Sequence, residues 1–276
     1  MNAVPAAEDI TAKIPRNLMP ANEAELSRDT HKVINTFNGM LEILQGADWI
    51  RKYPPTSRIP NGRVWGPYPM NDHPGWEIRF TMTRDPNTPE YFAYSFEVHR
   101  IGTGDSWILF IQGTFVATGG ARQGMGTFRI LGDGVRNEGW IKPDEDGNVF
   151  KELSIMYSTA AYPISVSMTL KLYPQGDLTN EIEIVYHYEE QETGQAAMQF
   201  FATDSSTGGS IKVTSRWLAS GAGRADAEAQ DGMGAGATWT QCWNESFVST
   251  YQNKPWAQPV PILEGYPALC PDISTL

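Results

Sequence analysis

The chain has 276 residues, is 41% hydrophobic and 19% charged, and carries a net charge of −11 at neutral pH. That length accommodates one large β domain or two small ones, with enough apolar residues for a sizeable core. The acidic balance excludes nucleic acid as an expected partner, because phosphate binding needs a basic footprint, and it disfavours a basic contact with anionic lipid.

No apolar run approaches the ~18 residues of a membrane helix, so no transmembrane segment is expected. Residues 1–20 lack a continuous apolar stretch and contain Pro5, Pro15 and Pro20. They read as a flexible leader, such as remains after removal of a signal sequence. The alternative is a cytosolic chain with a loose start.

Asn22 to Trp49 is the one long segment with a helical period. Leu26, Thr30, Val33, Phe37, Met40, Leu44 and Ala47 recur at steps of three and four, and Ile34 and Leu41 widen the stripe. Glu23, Glu25, Arg28, Asp29, Lys32, Asn38 and Glu42 fall on the other side. Pro54 and Pro55 predict a stop near Lys52. From Pro60 to Pro74 the density of Pro and Gly predicts a loop with at most one short strand around Arg63 to Trp65.

From Gly75 the period becomes two. Trp76, Ile78, Phe80 and Met82 alternate with polar residues, as do Phe92, Tyr94, Phe96 and Val98. Trp107 to Ala117 is apolar on both faces, and Met125 to Leu131 returns. Further strands are predicted at Phe150–Tyr157, Ile164–Leu172, Ile182–Tyr188, Ala196–Ala202, Ile211–Trp217, Arg224–Ala229 and Ala237–Trp243. This makes about eleven strands joined by short turns, a mainly β antiparallel meander. One domain, residues 21–250, is expected, followed by a Pro-rich tail, residues 251–276.

One helix covers two or three strands, whereas eleven laid flat span roughly 50 Å. The sheet is therefore expected to curl around the helix into a barrel or half-barrel. The inward set is bulky: Trp76, Phe80, Phe92, Tyr94, Phe96, Met168, Tyr186, Met198, Phe200 and Trp217. These are the candidate lining of an apolar pocket, and a solidly packed interior is the alternative. The methionines suit an adaptable lining and fit core gaps equally well.

The two cysteines are Cys242, in or beside the last expected strand, and Cys270, in the tail. A bridge between them ties the tail back and implies an oxidising compartment. Two free buried thiols are the alternative.

Catalytic signals are sparse, and no catalytic residue, cofactor or metal site is expected. His31, His73, His99 and His187 have no partner at metal-ligand spacing. His99 and His187 lie on polar strand faces, and His187 has Glu181, Glu183 and Glu189 on the same face, an arrangement that also suits an acid/base pair. Asp144-Glu145-Asp146-Gly147-Asn148 brushes against a calcium loop, with the glycine misplaced, and reads as an acidic turn. Gly232-x-Gly-x-Gly lacks the strand-to-helix context of a phosphate loop. Trp239, Trp243 and Trp256 suit either a carbohydrate platform or packing.

A helix followed by an uninterrupted meander resembles the open barrels of bacterial lipoprotein carriers of the LolA-like and LppX-like group. More locally, Gly113-Thr114-Phe115, Gly124-Met125-Gly126-Thr127-Phe128, Gly223-Arg224-Ala225-Asp226 and Thr240-Gln241-Cys242-Trp243-Asn244-Glu245-Ser246-Phe247 resemble uncharacterised secreted lipoproteins of myxobacteria. That resemblance implies a periplasmic or secreted location and lipid anchoring, and it assigns no activity. The expected function is non-enzymatic binding of a lipid or other apolar small molecule. A cell-envelope interaction protein with a solid core and its own protein partner is the first alternative. A lipocalin-shaped enzyme with His99 or His187 as base is the second.

Overall fold

The computed structural model describes residues 7–15, 22–41, 54–120, 123–145, 147–204, 209–257 and 260–273. The chain is mainly β, with one long helix near the N-terminus. A single turn, α1, spans Ala7–Ile10, the long helix α2 spans Glu25–Leu41, and a short turn α3 spans Asp133–Arg136. The strands run β1 Ser57–Ile59, β2 Gly62–Pro69, β3 Trp76–Arg84, β4 Tyr91–Arg100, β5 Ile108–Gly120, β6 Gln123–Leu131, β7 Val149–Ser158 and β8 Ile164–Tyr173. They continue as β9 Ile182–Glu190, β10 Ala196–Asp204, β11 Gly209–Trp217, β12 Gly223–Ala229, β13 Thr238–Trp243, β14 Ser249–Lys254 and β15 Ile262–Gly265.

All fifteen form one antiparallel sheet whose spatial order is the sequence order. β1 and β15 are its two ends and do not pair with each other, so hydrogen bonds do not close it into a barrel. The count corrects the expected eleven, which correspond to β3–β13. β1 precedes the segment read as a loop, and the short strand expected there around Arg63 to Trp65 is part of the longer β2. Pro60-Asn61 makes a two-residue turn, with Asn61 at φ 56°, and a bulge between Trp65 and Tyr68 absorbs Gly66-Pro67. β14 straddles the expected boundary between domain and tail and β15 lies within the tail, and neither carries burial alternation for a period to reveal.

The chain forms two compact units. The first comprises Met1–Ile10, Glu42–Ala161 and Val166–Ile184; the second comprises Thr11–Leu41, Tyr162–Ser165 and Val185–Leu276.

In the second unit α2 packs on β11 and β12. Its buried residues are Leu26, Ser27, Thr30, His31, Ile34, Phe37 and Leu41. The face is rotated from the expected stripe: Ser27 and His31 are inside, while Val33 and Met40 are only half-buried. Ser27 and His31 both lie against the Glu23 carboxylate, and further polar partners cross the helix–sheet interface. Thr30 Oγ1 lies 2.5 Å from Ser215 Oγ, and the Gln241 side chain accepts the Leu26 N–H at 2.7 Å. The latter satisfies one of the N–H groups that the first turn of any helix leaves without an intrahelical acceptor. Leu44, Ala47 and the expected stop near Lys52 lie outside the described residues.

Ala12 and Lys13, in the segment read as a leader, are also anchored in this unit. Asn38 both donates to and accepts from the Ala12 backbone, Lys13 N–H donates to Tyr188 Oη, and Trp217 Nε1 donates to Lys13 O. Cys242 and Cys270 form a disulfide, with Cα atoms 5.3 Å apart. It ties the tail to β13 as expected.

Candidate ligand site

Two hairpins of the first unit build a pocket of about 810 Å³. Its apolar floor is Trp65, Met82 and Phe92, all buried. Register explains why they meet. Arg63 faces Met82, Trp65 faces Phe80, and Arg84 faces Phe92, so these six side chains share one sheet face. The Trp65 and Phe80 rings lie 5.3 Å apart, and Phe80 continues to Phe96 at 4.5 Å. The apolar face of β2–β4 therefore runs out at this end into arginines.

The walls come from turns. Gly62 sits so close to its neighbours that a Cβ there would lie 2.8 Å from Met82 O. Asp85 closes the β3–β4 turn by accepting the Asn87 N–H at 2.8 Å, and Arg84 donates to Pro89 O while its guanidinium lies 5.8 Å from the Phe92 ring centroid. Arg58, Ile59, Arg63 and Arg84 at the rim are exposed.

A second depression, about 530 Å³, lies in the same unit and is lined mostly by polar residue types. Thr81, Ser95, Gln112 and Arg129 stand in one register row across β3–β6, on the face opposite the apolar floor. Arg129 also bonds Glu152 of β7.

The ten expected lining residues are all buried side chains. Phe92 lines the first pocket and Tyr94 borders the second. Trp76 sits in a separate cluster with Val98, Val135 and Trp140. Phe80 and Phe96 pack against each other in the first unit, on the sheet face that carries the pocket floor, and Met168 is fully buried in that unit. In the second unit, Tyr186 packs edge-on against Phe37 of α2, Trp217 stacks on Tyr188, and Met198 and Phe200 are buried. Sequence reasoning missed Trp65, Arg58, Arg63 and Arg84. The available signal was the pair Arg63-x-Trp65 and Met82-x-Arg84, each one step of strand period apart.

The other candidates resolve locally. His99 Nδ1 lies 3.0 Å from Glu77 Oε1, and its ring stacks on Trp107, which Arg79 covers on the same strand face at 4.2 Å. This imidazole–carboxylate pair is the arrangement that acid/base chemistry needs. His187 is more exposed, with Nε2 3.2 Å from Glu189. A third pair, which the sequence did not suggest, is buried: His31 Nδ1 lies 2.9 Å from Glu23 Oε1, and Ser27 Oγ donates to the same carboxylate oxygen. Asp144 closes its acidic turn onto Asn148. Trp243 is fully buried and donates to Gly221 O, whereas Trp239 and Trp256 both lie against Lys254.

The motif residues that carried the local resemblance have structural roles. Gly113 lies beneath Tyr94, Gly126 beneath Tyr157 and Gly223 beneath Trp243, each its direct cross-strand partner. Thr114 and Thr127 are hydrogen-bonded across β5–β6, and Asp226 takes bonds from Arg224 and Thr240. Asn244 organises the turn that places Phe247 against His31, and Phe247 O accepts the Ala24 N–H at the start of α2.

Comparison with protein-family models, with curated proteins and with solved structures returns no match. Among the described residues, no helix is long and apolar enough to cross a membrane, and no group of three His, Cys, Asp or Glu side chains is placed to hold a metal ion.

Proposed function

We propose that this chain is a non-enzymatic binding protein for an apolar ligand of acyl-chain size. The observation that carries the reading is the pocket of about 810 Å³ with Trp65, Met82 and Phe92 as its floor. Its volume is in the range of small-molecule sites, and concave apolar surface with a few polar groups is the usual form of such sites. The same proposal includes a curled, half-barrel sheet, since strongly twisted open sheets of this many strands rarely stay flat. It also places the protein outside the cytoplasm, periplasmic or secreted and lipid-anchored. The Cys242–Cys270 bridge supports this location, because such bonds persist in oxidising compartments.

The test is uptake of N-phenyl-1-naphthylamine, a neutral apolar probe, together with native mass spectrometry of protein purified without detergent. Saturable probe fluorescence that Met82→Trp abolishes by filling the floor is the expected result. No fluorescence change and a native mass equal to the bare chain would sink the reading.

One observation favours a second reading, an envelope interaction protein with a solid core: all ten expected lining residues are buried side chains. A stable protein partner recovered from envelope fractions, with no probe uptake, would decide for it.

A further inference from the structure

Arg58 and Arg63 stand directly opposite each other in the β1–β2 ladder. Residues so placed point to the same sheet face with Cβ atoms about 5 Å apart, and like charges there are destabilising. Neither guanidinium makes a hydrogen bond or ion pair among the described residues. Arg84 completes the group: Arg63 faces Met82, and Arg84 is two residues along the same face of β3. Its Nε is held by Pro89 O, so its position is fixed from within the β3–β4 turn. All three line the pocket, with a single carboxylate, Asp85, one of whose oxygens accepts the Asn87 N–H. A chain with a net charge of −11 thus concentrates uncompensated positive charge at one pocket rim. Elsewhere in the same unit Arg79 is paired with Glu97 and Arg129 with Glu152.

We propose that Arg58, Arg63 and Arg84 recognise the oxyanion head of a single-chain amphiphile whose tail lies on Trp65, Met82 and Phe92. This rests on the apolar-pocket reading and names the class of ligand. Guanidinium groups present planar, forked donors that match carboxylate and phosphate oxygens, and a bound anion removes the repulsion between Arg58 and Arg63. The order of the wall is the order of such a ligand: exposed cations at the rim, buried apolar side chains at the floor.

The experiment is calorimetric titration of the intact protein with dodecanoate, dodecyl phosphate, dodecanol and inorganic phosphate, below the micellar range. Dodecanoate and dodecyl phosphate are expected to bind at least tenfold more tightly than dodecanol. The double variant Arg58→Gln/Arg63→Gln is expected to fall to the dodecanol level. Because it removes a repulsive pair, its melting temperature should equal or exceed that of the parent, so a loss of binding is not a loss of fold. Should that variant not fold, Met82→Trp in the parent background serves instead, and it should block both anionic amphiphiles. Equal binding of dodecanoate and dodecanol would overturn the headgroup assignment and leave the apolar pocket standing. Inorganic phosphate binding as tightly as dodecyl phosphate would overturn the amphiphile and leave a free-anion site. Binding of none of the four would overturn the headgroup assignment and the pocket reading together.

Discussion

Tyr94 lies across the β4–β5 ladder directly over Gly113, so closely that a Cβ on Gly113 would fall 2.3 Å from its phenol oxygen and 2.3 Å from Thr127 O. Tyr94 Oη donates to that same carbonyl. The glycine is therefore the floor on which the ring rests. Gly113→Ala is expected to destabilise the chain by about 1–3 kcal/mol, the usual cost of overpacking a closed site. Urea denaturation measures it, and an unchanged midpoint would show that the ring has room to move.

Burial raises the pKa of Tyr94, Tyr157 and Tyr188 above the ordinary 10.0, and for Tyr157 the neighbouring Tyr94 adds to the effect. The unfolded chain releases these protons near pH 10 and the folded chain retains them. Above pH 10 the unfolded state thus binds fewer protons, so stability falls as pH rises. Absorbance titration near 295 nm should show that part of the eleven tyrosines ionises only with unfolding. A smooth titration of all of them in the native state would contradict this.

Gln241→Ala leaves the Leu26 N–H buried without its acceptor. An unsatisfied buried donor costs about 1–3 kcal/mol. Loss of amide-exchange protection at Leu26, together with a lower denaturation midpoint, is the expected signature. Unchanged protection would mean that another acceptor takes its place.

Removing the bridge with Cys242→Ser/Cys270→Ser reopens a span of 28 residues. The loop-entropy relation gives a loss of about 3.5 kcal/mol. Denatured mass with and without reductant should first show the two-hydrogen difference in the parent, and thermal melts of the pair then give the loss.

Most strands from Trp76 to Trp243 were legible because one face is buried and the other is more exposed, as in β4, which writes a period of two into the sequence; β13, buried on both faces near its end, is an exception. Helix α2 was legible for the same reason at a period of 3.6. Its exact face was not: Ser27 and His31, polar residues outside the apolar stripe, turn inward where Glu23 supplies a buried partner. The candidate ligand site was hidden in a stretch where Pro60, Gly66 and Pro67 mimic a loop. A tight turn and a bulge keep that chain in register, and neither leaves a periodic trace. The arginine group was hidden for a further reason: Arg58 and Arg84 are distant in sequence and become neighbours only once three strands are aligned.

β15 is a four-residue end strand, and the exposed side chains of Leu263, Tyr266 and Leu269 lie on it and just beyond. Its pairing to β14 is backed covalently by Cys270 a few residues on. A short terminal strand of this kind acts as an end-stop: it occupies the hydrogen-bonding edge of β14, which otherwise offers a template to any extended chain. In a reducing environment the end-stop loses its lock. Reduction is therefore expected to bare the edge of β14 and to promote strand-to-strand association of copies, which light scattering with and without reductant measures.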